Sequence, residues 1–167
     1  MHGSLETQVG NLLRERGLKI ATAESCTGGL IAHRITNVAG SSDYFLGGIV
    51  AYANEAKVGQ LGVSWDTLHA HGAVSRETVI EMARGARAAL GAEIAVSVTG
   101  IAGPGGGMPD KPVGSTWVGL AAPKGEWARR FVWSGDRLEN KEFSAEAALQ
   151  LVLDYLLGRA GDGQVAP

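Results

Sequence analysis

Leu5, Val9, Leu12 and Leu13 recur at helical spacing with polar residues between them, and Gly17 follows where a C-terminal cap belongs. The pattern predicts an amphipathic first helix over Leu5 to Arg16. Leu18 to Ala23 then reads as a short apolar strand, and Leu30, Ile31, Arg34 and Ile35 resume a helical period after Gly28-Gly29. Phe45, Leu46, Ile49, Val50 and Tyr52 suggest a second strand within Tyr44 to Ala53, with a bulge or a late start at Gly47-Gly48. Asn54 is placed to cap a short helix carrying Lys57, and Gly59 and Gly62 loosen the pattern after it.

Ser75 is the expected N-cap of a longer helix, with Glu77 in its first turn, Val79, Met82, Ala83, Ala86 and Leu90 inward, and Gly91 at its end. Ile94, Val96 and Val98 alternate with Ala95, Ser97 and Thr99, which predicts a strand with one strongly apolar face. Gly100 to Gly114 is too rich in glycine and proline for a regular element and is expected to be a long loop. Ser115 to Ala122 and Trp127 to Trp133 flank a turn at Lys124-Gly125, the pattern of an antiparallel hairpin. A final helix runs from Asp136, with Phe143, Ala147, Leu151, Leu156 and Leu157 as buried candidates. Helices separated by single strands, then a hairpin and a closing helix, imply an α/β fold: a mixed sheet with helices on both faces.

Composition narrows the function. The 167 residues, 45% of them hydrophobic, suit one domain, expected over 1–160 with a flexible tail over 161–167. Fifteen basic against seventeen acidic side chains give no field for a phosphate backbone, so nucleic acid is not an expected partner. Cys26 is the single cysteine, which excludes an internal disulfide, a cysteine zinc cluster and a CxxC redox site. No long uninterrupted apolar run and no leader pattern are present, so a cytoplasmic protein without membrane contact is expected. The twenty-five glycines cluster at a few turns, as where backbone approaches a ligand.

Ser25, in Glu24-Ser25-Cys26-Thr27-Gly28-Gly29, lies where a buried strand passes into a helix. Two readings stand: a helix N-cap, or a nucleophile whose oxyanion is met by first-turn N–H groups left accessible by the glycines. A nucleophilic serine needs a base. His2 is terminal, His33 falls inside a helix, and His69 and His71 occupy a polar connection, so no histidine is well placed. Lys57 is the candidate, because burial can lower a lysine pKa until the neutral amine is available, and it lies one turn after the strand that carries Tyr52. Their alternative reading is a solvated lysine and a half-buried strand residue. Cys26 is a rival nucleophile or a small buried side chain, and Glu24 an anchor for the turn. The Gly103 to Gly107 loop lacks a P-loop ending and reads as a ligand loop or a flexible turn, with Arg137 within reach of the same site.

Thr22 to Gly29, Ala39 to Ser42, Tyr52 to Lys57, His71 to Ser75, Gly100 to Pro104, Lys111 to Gly114 and Ser134 to Arg137, in this order, resemble the C-terminal domain family of the competence-damage-inducible protein CinA. The resemblance covers nearly the whole chain and implies a three-layer α/β/α sandwich. Members with amidase activity hydrolyse the carboxamide of nicotinamide mononucleotide to the acid and ammonia, without a metal or a cofactor. The family's catalytic serine, tyrosine and lysine fall on Ser25, Tyr52 and Lys57. Thr27 and Gly28 are then expected at the oxyanion, and Gly29, Asn54, Gly100, Gly103, Gly105, Gly106 and Arg137 against the substrate, with the Gly103 to Gly107 backbone and Arg137 on its phosphate. The partner implied is a small nucleotide, and a homodimer is the default assembly.

Overall fold

The computed structural model describes residues 3–163. His2 and residues 164–167 of the expected flexible tail lie outside the described residues.

Helix α1 (Leu5–Arg16) is capped by Ser4, which accepts the Thr7 N–H, and ends on left-handed Gly17. β1 (Ile20–Glu24) follows, then α2 (Leu30–Thr36), a 3₁₀ turn (Ser41–Asp43) and β2 (Phe45–Val50). Next come α3 (Asn54–Leu61), α4 (Trp65–His71), α5 (Arg76–Leu90) and β3 (Ile94–Gly100). The hairpin β4 (Ser115–Ala122) and β5 (Gly125–Val132) and the long α6 (Arg137–Leu156) complete the order. The sheet runs β2-β1-β3-β4-β5, parallel across its first three strands and antiparallel at the hairpin. Helices α1, α2 and α6 pack on one another over one face, and α3, α4 and α5 over the other, so the fold is the three-layer α/β/α sandwich.

β1 and β3 are buried along both faces because helices cover both. Ile20 and Ile94, wholly buried, each contribute about 1.5–3 kcal/mol relative to exposure. The second face of β3 is therefore dry, unlike the one-sided strand that its alternation predicts. Its polar residues are satisfied instead: Ser97 Oγ donates to the Val79 carbonyl at 2.6 Å and Thr99 Oγ1 to the Ala73 carbonyl at 2.8 Å.

Other differences from the sequence reading have local causes. β1 starts at Ile20, with Leu18 packing on the core before it. The expected bulge in β2 is present, since Ile20 pairs with Phe45 and Ala21 already with Gly47. Ala53, not Asn54, is the N-cap of α3, and it makes no side-chain cap. The connection holding His69 and His71 is a helix, α4, started by Ser64 and too short and polar to show a period. Phe143 is 43% exposed, because the buried stripe of α6 passes through Ser144, Ala148 and Leu151, leaving Phe143 beside Trp133. The described part of the tail is tied to the domain where Gly161 accepts the Trp127 indole N–H at 3.2 Å. No helix among the described residues is long and apolar enough to cross a membrane.

Candidate active site

From β1 the chain continues to β2 on one side and to β3 on the other, so a crevice opens at the carboxyl ends of β1 and β3, where open α/β sheets bind ligands. Ser25 follows β1 there. Its N–H donates to the Val98 carbonyl at 3.0 Å, and the Ala51 N–H donates to Glu24 at 2.8 Å, which pins the turn to both neighbouring strands.

Glu24 anchors that turn. Its carboxylate, 1% exposed, accepts from Thr27 Oγ1 at 2.7 Å, from the Ile31 N–H at 2.9 Å and from the Ala32 N–H at 3.1 Å. The first-turn donors of α2 are therefore held by Glu24, and Ser25 is not the helix cap. Gly29 is the N-cap, at φ 101°, and Gly28 has φ 60°, conformations that glycine adopts without strain. The Gly28 N–H closes the turn on the Ser25 carbonyl at 3.0 Å, so it is not the open oxyanion donor expected from the sequence. No backbone carbonyl among the described residues accepts the Cys26 or Thr27 N–H.

The Ser25 hydroxyl meets Lys57. Lys57 Nζ donates to Ser25 Oγ at 3.1 Å and to the Tyr52 carbonyl at 3.0 Å, and the lysine is 2% exposed. It is delivered by α3, whose first turn after β2 turns it into the sheet edge. Burial holds its pKa below the ordinary lysine value, with Cys26 pulling weakly the other way. The Cys26 thiol, nearly buried, is pushed up to about 12 by desolvation first. It stays protonated at neutral pH, which removes the usual route to a cysteine nucleophile.

The tyrosine side chain is elsewhere. Tyr52 is 62% exposed, and its hydroxyl accepts from Arg137 Nη2 at 3.1 Å, so its contact with Lys57 is made by the main chain alone. Arg137 Nη1 donates to the Gly103 carbonyl at 2.6 Å and thereby ties α6, the glycine loop and Tyr52 together. Ser25, Tyr52, Asn54, Lys57, Gly100 and Arg137 line one cleft of about 210 Å³. Gly29, the N-cap of α2, does not, and neither do Gly103, Gly105 and Gly106, whose loop leaves the cleft after Ala102 and folds on itself through the Met108–Lys111 bridge.

Sequence reasoning passed over Thr99, Ala73 and Val74, which also line the cleft, and Lys141, whose Nζ lies 3.9 Å from where a Cβ on Gly28 would sit. Thr99 ends the clearest predicted strand, and Lys141 stands one turn after Arg137 on α6, the spacing that puts both on one face.

The model of the CinA C-terminal domain matches residues 2–156. A CinA-like protein of Chloroherpeton thalassium is 55% identical over 91% of this chain and 37% of its own length. One from Chlorobaculum tepidum is 56% identical over 90% of this chain and 37% of its own. The chain thus spans little more than a third of these relatives. Among solved structures, the competence damage-inducible protein A of Klebsiella pneumoniae superposes with TM-score 0.89 at 35% identity, covering 92% of this chain and 95% of that one. The competence/damage inducible protein CihA of Agrobacterium tumefaciens gives TM-score 0.87 at 41% identity, over 94% and 98%. A family match over nearly the whole chain, together with these identities and superpositions, settles the family: the chain belongs to the CinA C-terminal domain family.

Proposed function

We propose that this chain is a serine amidohydrolase acting on the carboxamide of nicotinamide mononucleotide. The observation that carries the reading is a buried lysine amine, its pKa lowered by desolvation, 3.1 Å from a serine hydroxyl in the crevice at the carboxyl ends of β1 and β3. That is the arrangement an activated nucleophile requires.

In this mechanism neutral Lys57 removes the Ser25 proton as Oγ bonds to the carboxamide carbon. The carbonyl becomes an oxyanion, met by the Cys26 and Thr27 N–H groups, which no backbone carbonyl occupies. Lys57 then returns the proton to the leaving nitrogen, the C–N bond breaks, and ammonia departs from an acyl-Ser25 ester. Water, deprotonated by the same amine, attacks the ester and releases the acid. The substrate's pyridinium cation, placed beside Lys57, disfavours the protonated amine and keeps the base neutral. The Tyr52 carbonyl aims Lys57, and the Tyr52 hydroxyl with Arg137 closes one wall of the cleft.

Ammonia release from nicotinamide mononucleotide tests the proposal directly. The wild type is expected to turn over, and folded Ser25→Ala to lose about 10³-fold or more. Ammonia release by Ser25→Ala at the wild-type rate removes the nucleophile assignment. A wild type that binds the nucleotide without hydrolysis makes the chain a binding module.

A further inference from the structure

The Ser25 cleft, at about 210 Å³, is smaller than the ~300–1,000 Å³ of ordinary small-molecule sites, so a mononucleotide must extend beyond it. Two larger cavities share walls with it. One, of about 550 Å³, shares Ala102 and Arg137 and runs past Pro104 and Leu138. Its charged residues are Arg137, already donating to Gly103 and Tyr52, and Asp136, whose carboxylate repels an anion. The other, of about 380 Å³, shares Val74 and is walled by Arg76, Lys111 and Arg130 against Asp110 and Glu77.

We propose that this second cavity is the subsite for the substrate's phosphate monoester, an inference that rests on the amidase reading of the adjoining cleft. Lys111 and Arg130 stand across from Asp110 and Glu77 there, with Arg76 on the same wall, and Glu77 Oε2 lies 3.6 Å from His71 Nδ1. Arg130 forms no ion pair among the described residues, and its guanidinium suits two phosphate oxygens at once. Lys111 Nζ donates to the His71 carbonyl at 2.6 Å, which fixes the ammonium at the wall. Ser115, also lining the cavity, is 2% exposed and its hydroxyl has no hydrogen-bond partner among the described residues. The fifteen-residue α5 begins at this wall and adds the positive end of its dipole. Half-buried Trp117, directly across from Arg130 in the hairpin, offers a flat apolar surface to the rest of the nucleotide. The segments His71 to Ser75 and Lys111 to Gly114, which the Ser25–Lys57 chemistry leaves without a task, meet here.

Nicotinamide mononucleotide and nicotinamide riboside differ by the phosphate alone, so ammonia release from the two reads the subsite. The ratio of their kcat/KM values, mononucleotide over riboside, is expected to fall about tenfold or more in Arg130→Ala and further in Arg130→Glu, chiefly through the mononucleotide KM. A ratio within about twofold of the wild type in both variants overturns the proposal. Calorimetric titration of the mononucleotide into Ser25→Ala and Ser25→Ala/Arg130→Ala proteins reads the same site without turnover. A Kd weaker by about tenfold or more in the double variant keeps the subsite even where the wild type releases no ammonia, which removes the amidase reading alone. Equal Kd values, or no binding to folded Ser25→Ala protein, overturn the subsite.

Discussion

Lys57→Met separates chemistry from packing at the site. Methionine keeps an unbranched stem, so the space around this 2%-exposed side chain stays filled. What disappears is the amine that donates to Ser25 Oγ at 3.1 Å and to the Tyr52 carbonyl at 3.0 Å. A positioned general base contributes about 10²–10⁴ in rate, or about 2.7–5.4 kcal/mol, and single-turnover ammonia release should slow by that factor. Stability should move little. Leaving the Tyr52 carbonyl without its donor costs about 1–3 kcal/mol, and removing a desolvated amine returns a similar amount. The pH dependence has a definite sign. Because burial lowers the Lys57 pKa, the unfolded chain holds the extra proton between the folded value and the ordinary lysine value. The cost of burying the charged amine is fully present below that window and is relieved as pH rises through it, so stability rises with pH there, and the slope is absent in Lys57→Met. Wild-type acylation should likewise rise with pH as the amine deprotonates, then level off. Rapid-quench kinetics and urea midpoints across pH measure both. A rate loss under about tenfold, or one matched by unfolding, refutes the assignment of Lys57 as the base.

Glu24→Gln replaces one of two carboxylate oxygens facing three donors with an NH₂ group and removes a negative charge from the α2 N-terminus. Urea unfolding should show a loss of about 1–3 kcal/mol, and an unchanged midpoint excludes Glu24 as the anchor of the turn. Gly85→Ala puts a Cβ 1.8 Å from the Leu61 carbonyl oxygen, a backbone atom that cannot swing away. It should destabilise by about 3 kcal/mol or more and lower turnover as well, since it displaces the helix that carries Lys57; a midpoint near the wild type contradicts this packing. Cys26→Ala should retain ammonia release. In the wild type the thiol, pushed up to about 12, should alkylate at pH 7 roughly a thousandfold more slowly than an ordinary cysteine, and loss of activity in the variant makes Cys26 the nucleophile.

Elements whose stop and start signals lie within a few residues of them were legible along the chain. α1 with Gly17, and α5 between Ser75 and Gly91, fall where their caps predict. α4 was not, because seven residues with a single buried side chain, Leu68, carry no period, and the helix is held by packing on α5. Phe143 was misplaced for a related reason. Periodicity tells that α6 has an inner face, while the ring's partner, Trp133, comes from another element.

At the site the same division holds. Local pattern placed Ser25 at a strand end and Lys57 in the first turn of a following helix, but left a helix cap and a solvated lysine as their alternatives. That the amine is buried, and so has its pKa lowered, depends on β1, α3 and the sheet edge closing around it.

The sequence by itself determined the turn: Ser25 after a buried strand, with two glycines free to take positive φ, because backbone conformation is a local property. Only the tertiary structure decided how that turn is used. It gave the helix donors to Glu24 rather than Ser25, tied Arg137 to Gly103 and Tyr52, and gathered Arg76, Lys111 and Arg130 beside Val74. Hydrogen bonds and fields act over a few ångströms in space, between residues that the chain holds tens of positions apart.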